Sequence, residues 1–380
     1  MMFFIAGMAV LTVVAQAVQP EDPVRIGVSV SRSGDLSPAG DTYLEGIRLW
    51  VDGVNARGGI LGRKVELVVK DDGSDPQQAA RVYGELATDD EADLLLGPVN
   101  TSLALAVLPV LEKDDFPCVF PMTASDSLWK DGTGVAFGVQ SPLSEWSSGF
   151  FEVISRAGLT RVALLVVDHP KAETVLQTTA KWARRYGLEQ VAEATCDIKD
   201  LPAAITSISR SKAEAVAVWG SQEGCAMAVR ELRRSPIKIK AVYMSATLSS
   251  QVQQELPARE LDGVFTALPW EPRVAKSFPG GSRFVEEFRE AHGHDPDYLA
   301  ASAYAGCQVL EAAAKACSLD RQKLRQALAG LDTLTILGRY GVDPTGMQLR
   351  QFPLTMQWQK GRKEVVWPEE LHTARPTVVR

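Results

Sequence analysis

Hydroxyl-bearing side chains follow two short apolar runs in the middle of the chain, and their chemistry suits the binding of an anion. The runs, residues 94–96 and 118–120, each have the length of a buried strand. The polar residues after them are Asn100, Thr101 and Ser102 in the first loop, and Thr123, Ser125 and Ser127 in the second. In an open parallel sheet, ligands bind beyond the carboxyl ends of the strands. The pattern therefore predicts half of a site for a small carboxylate.

The polar residues of the first loop could instead have a purely structural role. Apolar residues repeat at helical spacing from 103 to 111, which predicts a helix between the two strands. Asn100 and Thr101 could then serve only as helix caps. A hydroxyl-rich loop that opens a helix also offers free N–H groups to an anion, so both interpretations stay open.

No set of residues has the spacing of a catalytic motif. The sequence lacks a G-x-S-x-G elbow, a P-loop and a G-x-G-x-x-G run. His292 and His294 have no His or Cys partner at metal-ligand spacing. Asp71-Asp72 could suggest a metal or an acid, but Gly73 and Asp75-Pro76 make a capped turn the simpler interpretation. The chain is predicted not to be an enzyme and to need no cofactor.

Composition indicates a soluble globular protein with two cores. The chain has 380 residues, of which 46% are hydrophobic and 23% charged. Its net charge of −7 argues against a nucleic-acid partner, which would require a basic face.

The first 18 residues predict export. They are almost wholly apolar and run into Ala15-Gln16-Ala17, which has the small-residue pattern of a cleavage site. Residues 1–17 are therefore predicted to be a signal peptide cleaved after Ala17, giving a soluble, exported protein. No Lys or Arg precedes the apolar run, and an uncleaved membrane anchor is the alternative, although the run is barely long enough to span a bilayer.

The five cysteines predict mostly free, buried thiols. Cys307 and Cys317 fall on one predicted helix, roughly 15 Å apart along its axis, which is too far for a disulfide. Cys196 and Cys225 could in principle form a bridge.

Strands and helices alternate from Val24 onward in two series that meet near Pro142. Each strand–helix unit of the second series is about thirty residues long, so parallel strands with crossover helices are expected. The later part of the chain is predicted to be helical and then to end in a hairpin. The predicted strands are 24–30, 64–70, 94–96, 118–120, 136–139, 161–167, 190–196, 215–219 and 239–244; the late helices are 282–292, 298–317 and 321–328, and the hairpin is 352–359 with 365–366.

Over nearly all of this length the chain resembles the type I periplasmic binding proteins of the Leu/Ile/Val-binding kind. The most specific runs are NARGGILGR, residues 55–63, and DDGSDP, residues 71–76. The resemblance implies an α/β fold of two doubly wound Rossmann-like lobes with parallel central sheets, joined by three hinge crossings near residues 139, 268 and 337. It assigns residues 24–140 plus 270–335 to the first lobe and 141–269 plus 336–370 to the second, with ligand trapped between them.

Binding residues of the first lobe carry over from the family by position. In these proteins a hydroxyl in the first loop, with backbone and hydroxyl groups in the second, holds the carboxylate and ammonium of an amino acid. Thr101 matches the first loop, while Met122, Thr123 and Ala124 fall on the second. Ala124 stands where a hydroxyl is usual, and Ser125 follows it.

The second lobe departs from the family pattern. Lys171-Ala172 replaces the usual Tyr-Gly, and Ser221 stands where an aromatic residue is common. No acid lies near Ala246-Thr247 to meet an ammonium; Glu223 is the nearest substitute by sequence, or it only starts a helix. Burying an ammonium without an acid is costly. Lys171 could instead favour a carboxylate that has no amine.

The resemblance leads to two hypotheses of function. In the first, the protein is the solute-binding component of an ABC importer and delivers a small amino-acid-like or carboxylate ligand to a membrane permease. In the second, it is a ligand sensor on the same fold that acts on a signalling partner. A degenerate binder without a ligand is a third interpretation.

Overall fold

The computed structural model describes residues 22–88, 92–130, 132–169, 172–236, 238–245 and 256–378. The predicted signal peptide and Lys171 lie outside these ranges. Within them, no helix combines the length and the apolar character needed to cross a membrane.

The strands form two large sheets, one in each lobe, and a small separate hairpin. The first sheet has the order β2-β1-β3-β4-β5 and is wholly parallel; the second has the order β14-β13-β10-β9-β8-β6-β7. In the second sheet β13 runs antiparallel to both β10 and β14. The strands are β1 (Val24–Val30), β2 (Val65–Asp71), β3 (Leu94–Leu96), β4 (Cys118–Phe120), β5 (Ala136–Gly138), β6 (Arg161–Val167), β7 (Glu189–Cys196), β8 (Ala215–Gly220), β9 (Ala241–Met244), β10 (Val264–Leu268), β11 (Thr333–Thr335), β12 (Gly338–Tyr340), β13 (Leu354–Gln359) and β14 (Arg362–Trp367).

Helices connect the parallel strands and cover the sheets. They are α1 (Ser37–Ala56), α2 (Pro76–Thr88), α3 (Thr101–Lys113), α4 (Ser148–Arg156), α5 (Ala172–Arg185), α6 (Leu201–Arg210), α7 (Gln222–Arg234), α8 (Ala258–Leu261), α9 (Gly281–His292), α10 (Tyr298–Cys317) and α11 (Arg321–Gly330). Short 3-10 helices lie at Asp126–Leu128, Leu143–Glu145, Ile198–Asp200, Pro272–Ser277 and Glu369–Leu371.

The predicted two-lobe α/β fold is confirmed, and the central strands show why. Both faces of a parallel sheet are covered by helices, so its strands are continuously apolar. Residues 94–96 of β3 and 162–167 of β6 are buried throughout. The closing hairpin is also confirmed, whereas the β11–β12 pair was not predicted because its two strands, Thr-Leu-Thr and Gly-Arg-Tyr, contain no apolar run.

The first lobe is completed by helices from late in the chain. α10 packs closely along α1, and a Cβ atom added at Gly46 of α1 would lie 2.3 Å from the carbonyl oxygen of Ala300. Glycine is therefore needed for the two helix backbones to come this close.

The tail enters the second sheet later than the resemblance implies. Ile336, Leu337 and Tyr340, assigned by resemblance to the second lobe, are buried in the core of the first sheet. Gly346 still contacts that sheet, since its carbonyl oxygen accepts a hydrogen bond from Gly138 N at 2.9 Å. The tail first pairs with the second sheet at Leu354 of β13.

All five cysteines are free, where mostly free thiols were predicted and a bridge between Cys196 and Cys225 was left open. Cys118, Cys225, Cys307 and Cys317 are buried and Cys196 is partly buried. Burial raises the pKa of the Cys118 and Cys307 thiols well above the usual value, which keeps them protonated and unreactive.

Candidate functional site

The loop after β3 is held by two tyrosines from the neighbouring helices. The hydroxyl of Tyr43, on α1, donates to the carbonyl oxygen of Gly97 at 2.8 Å, and that of Tyr83, on α2, donates to the carbonyl oxygen of Leu96. A Cβ atom added at Gly97 would lie 2.3 Å from the ring of Phe120, so only glycine lets the loop pass this close to β4. The backbone that leads into α3 is therefore fixed.

Asn100 caps α3, and Thr101 does not. The Asn100 Oδ1 atom accepts a hydrogen bond from Leu103 N at 2.9 Å, which is the contact of an N-cap residue. Thr101 is the first helical residue and is half-buried, and its hydroxyl forms no hydrogen bond to any described residue. Ser102 is exposed. The cap interpretation is thus correct for Asn100 and wrong for Thr101.

Replacing Asn100 by alanine should lower the free energy of unfolding by about 1 kcal/mol, because the N–H group of Leu103 would lose its acceptor. Urea titration followed by circular dichroism measures the change. Ser102→Ala is the control; it removes an exposed hydroxyl from the same turn and should change stability by less than about 0.5 kcal/mol. Equal losses in both variants would show that the cap does not stabilise α3.

The loop after β4 is buried and tied to the first crossing between the lobes. The carbonyl oxygen of Ala124 accepts from Leu143 N at 2.6 Å, and the Gln140 Nε2 atom lies 3.7 Å from the sulfur of Met122. Thr123 is fully buried, and its hydroxyl has no hydrogen-bond partner among the described residues. A buried hydroxyl without a partner costs about 1–3 kcal/mol, and a bound water or ligand group would remove that cost.

The same loop ends in two further polar contacts. The Oγ atoms of Ser125 and Ser127 are 2.8 Å apart, and the Asp126 Oδ2 atom accepts from Ser144 N at 3.1 Å. Asp126 was not predicted as a site residue. No sequence motif marks Asp126, because its hydrogen-bond partner, Ser144, lies 18 residues later, at the start of the second lobe.

A buried carboxylate holds the end of β1 beside these loops. Asp72 is fully buried and accepts from the hydroxyls of Ser29 at 2.7 Å and Ser31 at 2.6 Å, and from Ser74 N at 3.0 Å. These bonds fix the first residues after β1, which face the same edge of the sheet as Thr101.

The turn interpretation of Asp71-Asp72 is confirmed. Asp71 accepts from Gly73 N at 2.9 Å and from the Ser33 hydroxyl at 2.9 Å, and Asp75 caps α2 by accepting from Gln78 N at 2.6 Å. Burial raises the pKa of Asp71, but the hydrogen bonds from Gly73 and Ser33 outweigh it and hold the pKa below its usual value.

Two predicted residues of the second lobe, Ser221 and Glu223, lie at the start of α7. Ser221 is the N-cap of α7 and accepts from Gly224 N at 3.1 Å. Glu223 lies exposed in the first turn of α7, where a negative charge favours the helix. The expected contact of Lys171 and the acid-poor stretch at 246–247 lie outside the described residues.

One glutamine connects all three crossings between the lobes. Gln351, which is 6% exposed, accepts from Ser141 N at 2.7 Å, and its Nε2 atom donates to the carbonyl oxygens of Pro269 at 3.0 Å and Phe352 at 2.7 Å. Ser141 belongs to the first crossing, Pro269 to the second and Phe352 to the third. The Gln351 side chain thus joins the three crossing segments to one another.

Two more buried glutamines support this hinge. Gln348 Nε2 donates to the carbonyl oxygen of Val139 at 3.0 Å, and its Oε1 atom accepts from Gly341 N at 3.2 Å. Gln140 Nε2 donates to the hydroxyl of Ser302 on α10 at 2.9 Å. None of the three was predicted; the only sequence signal is that Gln140 directly follows a predicted strand.

The histidines pack beside an aromatic ring. The rings of His292 and His294 lie 4.4 and 5.5 Å from the ring of Phe288, centroid to centroid. In the described ranges, no three His, Cys, Asp or Glu side chains are grouped so that they could hold a metal ion.

Relatives by sequence are binding proteins. An amino acid binding protein of Pseudomonas aeruginosa is 24% identical over 349 residues, which cover 90% of this chain and 92% of that protein. The Leu/Ile/Val-binding protein homolog 1 of Brucella suis is 21% identical over 361 residues, 94% of this chain and 96% of that protein.

Solved structures share the fold. The branched-chain amino acid transporter substrate-binding protein LivJ of Streptococcus pneumoniae, in complex with isoleucine, superposes with a TM-score of 0.72 at 24% identity, over 91% of this chain and all of that one (100%). A solute-binding protein of an R. palustris ABC transporter, in complex with benzoate, gives 0.69 at 20% identity, over 94% of this chain and 98% of that one.

The family described as "Periplasmic binding protein" matches residues 23–363. This match covers the first sheet, the second sheet as far as the start of β14, both loops of hydroxyl-bearing residues and the hinge. The chain belongs to the periplasmic binding protein family, and it has the two-lobe fold of the solved structures that it resembles.

Proposed function

We propose that the protein binds a small carboxylate-bearing solute between its lobes and delivers it to the permease of an ABC importer. It would act in the periplasm after cleavage behind Ala17. One observation carries the ligand chemistry: the hydroxyls of Thr101 and Thr123 have no partners among the described residues and follow β3 and β4, two strands that pair directly.

Backbone groups at the start of α3 add to the attraction for an anion. The Asn100 side chain satisfies only the N–H group of Leu103. The N–H groups of Thr101 and Ser102 have no acceptor within the helix, and the helix dipole favours negative charge at this end. A carboxylate placed here would accept bonds from the Thr101 hydroxyl and from free N–H groups together.

The ligands of the solved relatives agree with this chemistry. Isoleucine and benzoate, bound in two of them, share a carboxylate and little else. A site for the shared group is therefore the simplest common feature. We place the other contacts on the predicted residues of both lobes: Asn100, Ser102, Met122, Ala124, Ser125, Lys171, Ser221 and Glu223.

The lobes should close on the ligand by bending at the three crossings. On the packing described above, we assign residues 24–140 and 270–348 to the first lobe and 141–269 and 349–370 to the second. Native mass spectrometry of freshly purified protein would identify a retained carboxylate. Small-angle scattering with that carboxylate should then give a smaller radius of gyration than without it.

The Thr101→Val variant, measured at the same ligand concentration, is the control for closure. It should remain at the larger radius until more ligand is added, because it lacks one carboxylate contact. An unchanged radius of the unsubstituted protein at saturating ligand would rule out a closing clamp.

A further inference from the structure

A small pocket adjoins the proposed carboxylate loop on the side of the second lobe. Its volume is about 100 Å³, and its lining includes Asp126, Leu143, Val175 and Trp219. Asp126 comes from the first lobe, Leu143 from the first crossing, Val175 from α5 and Trp219 from the end of β8. The pocket therefore lies where the two lobes meet.

The pocket combines apolar surface and one carboxylate with four hydroxyl-bearing residues, Ser144, Thr174, Thr178 and Thr179. Leu143, Val175 and the Trp219 indole supply apolar surface, and the hydroxyls of the lining residues Thr178 and Thr179 donate to helix carbonyls at 2.9 and 2.7 Å. Asp126 is the one charged residue among those that line the pocket.

Asp126 has no cationic partner in the described part of the chain. Its one hydrogen bond comes from Ser144 N, which leaves lone pairs on both carboxylate oxygens. The carboxyl of Glu145 lies near enough to interact with Asp126: burial raises the pKa of Glu145, Lys181 and Arg185 lower it, and the Asp126 charge raises it. A half-buried carboxylate with apolar walls favours an ammonium group that has an apolar stem.

The pocket and the carboxylate loop share one wall. Ala124 packs against the apolar cluster that contains Trp219, and its carbonyl oxygen is bonded to Leu143 N. Asp126 follows Thr123 by three residues, a separation of at most about 10 Å along the chain. Neither Thr101 nor Thr123 lines the pocket. A ligand with its anionic end on those residues and its cationic end at Asp126 must therefore reach from the loop into the pocket, whereas an α-amino group adjoins its carboxylate.

We propose that this pocket is a subsite for the distal ammonium of an ω-amino carboxylate, with Asp126 as its counter-ion. The inference rests on the proposed function, which supplies the carboxylate end of the ligand. Isothermal titration of the full chain with 5-aminopentanoate and with pentanoate tests both ends separately. The amine should improve affinity roughly ten- to a hundredfold, as expected of a hydrogen bond between charged groups.

Asp126→Asn should abolish this advantage and leave pentanoate affinity unchanged, because the amide keeps an acceptor for Ser144 N but loses the charge. Glu112→Gln, which removes an exposed carboxylate from α3, should keep the advantage. If pentanoate binds and the amine adds nothing, the subsite is refuted and the carboxylate site stands. If neither compound binds, both proposals fail. An equal loss for both compounds in Asp126→Asn would show that Asp126 only positions the loop.

Discussion

Thr101→Val should weaken binding of the carboxylate roughly ten- to a hundredfold, the effect of losing one hydrogen bond to a charged group. Valine keeps the shape of the side chain, and Asn100 keeps its bond to Leu103 N. The melting temperature should therefore stay close to that of the unsubstituted protein. Calorimetric titration beside a thermal melt measures the two quantities on the same sample.

Thr206→Val is the matched control for this experiment. Thr206 is an exposed residue of α6 whose hydroxyl donates to the carbonyl oxygen of Pro202 at 2.8 Å, far along the chain from either loop. Its replacement should leave affinity unchanged. Unchanged affinity in Thr101→Val as well would contradict the carboxylate site and direct attention to other loops of the cleft.

Gln351→Leu should lower the free energy of unfolding by about 3–5 kcal/mol, since it leaves Ser141 N and the carbonyl oxygen of Pro269 buried without partners and also removes the bond to the carbonyl oxygen of Phe352. Leucine has nearly the same volume, so a cavity contributes little. Because these three groups lie on three different crossings, the variant should also close less completely on its ligand. Chemical denaturation measures the first effect and scattering with ligand the second.

Gln326→Leu makes the same change at an exposed position of α11 and should alter stability by less than about 0.5 kcal/mol. A similar small loss in Gln351→Leu would mean that water replaces the lost side chain at the hinge. In that case the crossings would be held by their backbone contacts alone.

Local patterns in the sequence were sufficient for most of the elements, although not for β10, β11 and β12, and for part of the site. Buried strands such as β3 and β6 are continuous apolar runs, and the caps at Asn100 and Asp75 lie directly before helical periodicity. The loop of Thr123 could be placed because it follows a strand. Each of these inferences needs only residues within one turn or one strand of each other.

The hinge and the Asp126 pocket could not be predicted in this way. The bond between Ser141 and Gln351 joins residues 210 positions apart, and that between Gln351 and Pro269 joins residues 82 apart. A single glutamine adds nothing to the hydrophobic periodicity of a sequence. Its residue type also does not indicate whether its side chain is exposed or buried. Only the three-dimensional arrangement of the crossings shows which glutamines hold them.

The close contact between α1 and α10 has a consequence for the order of folding. Residue 46 meets residue 300, so the first lobe cannot bury the inner face of α1 until most of the chain is available. Contacts between residues so far apart in sequence form slowly, because the chain loses the entropy of closing a long loop before the contact stabilises it. The second lobe has most of its parallel strands in one continuous segment and can collapse earlier. The first lobe is thus expected to complete its folding last. Until α10 packs on it, the inner face of α1 stays exposed, and this is the surface on which a chaperone would be most needed.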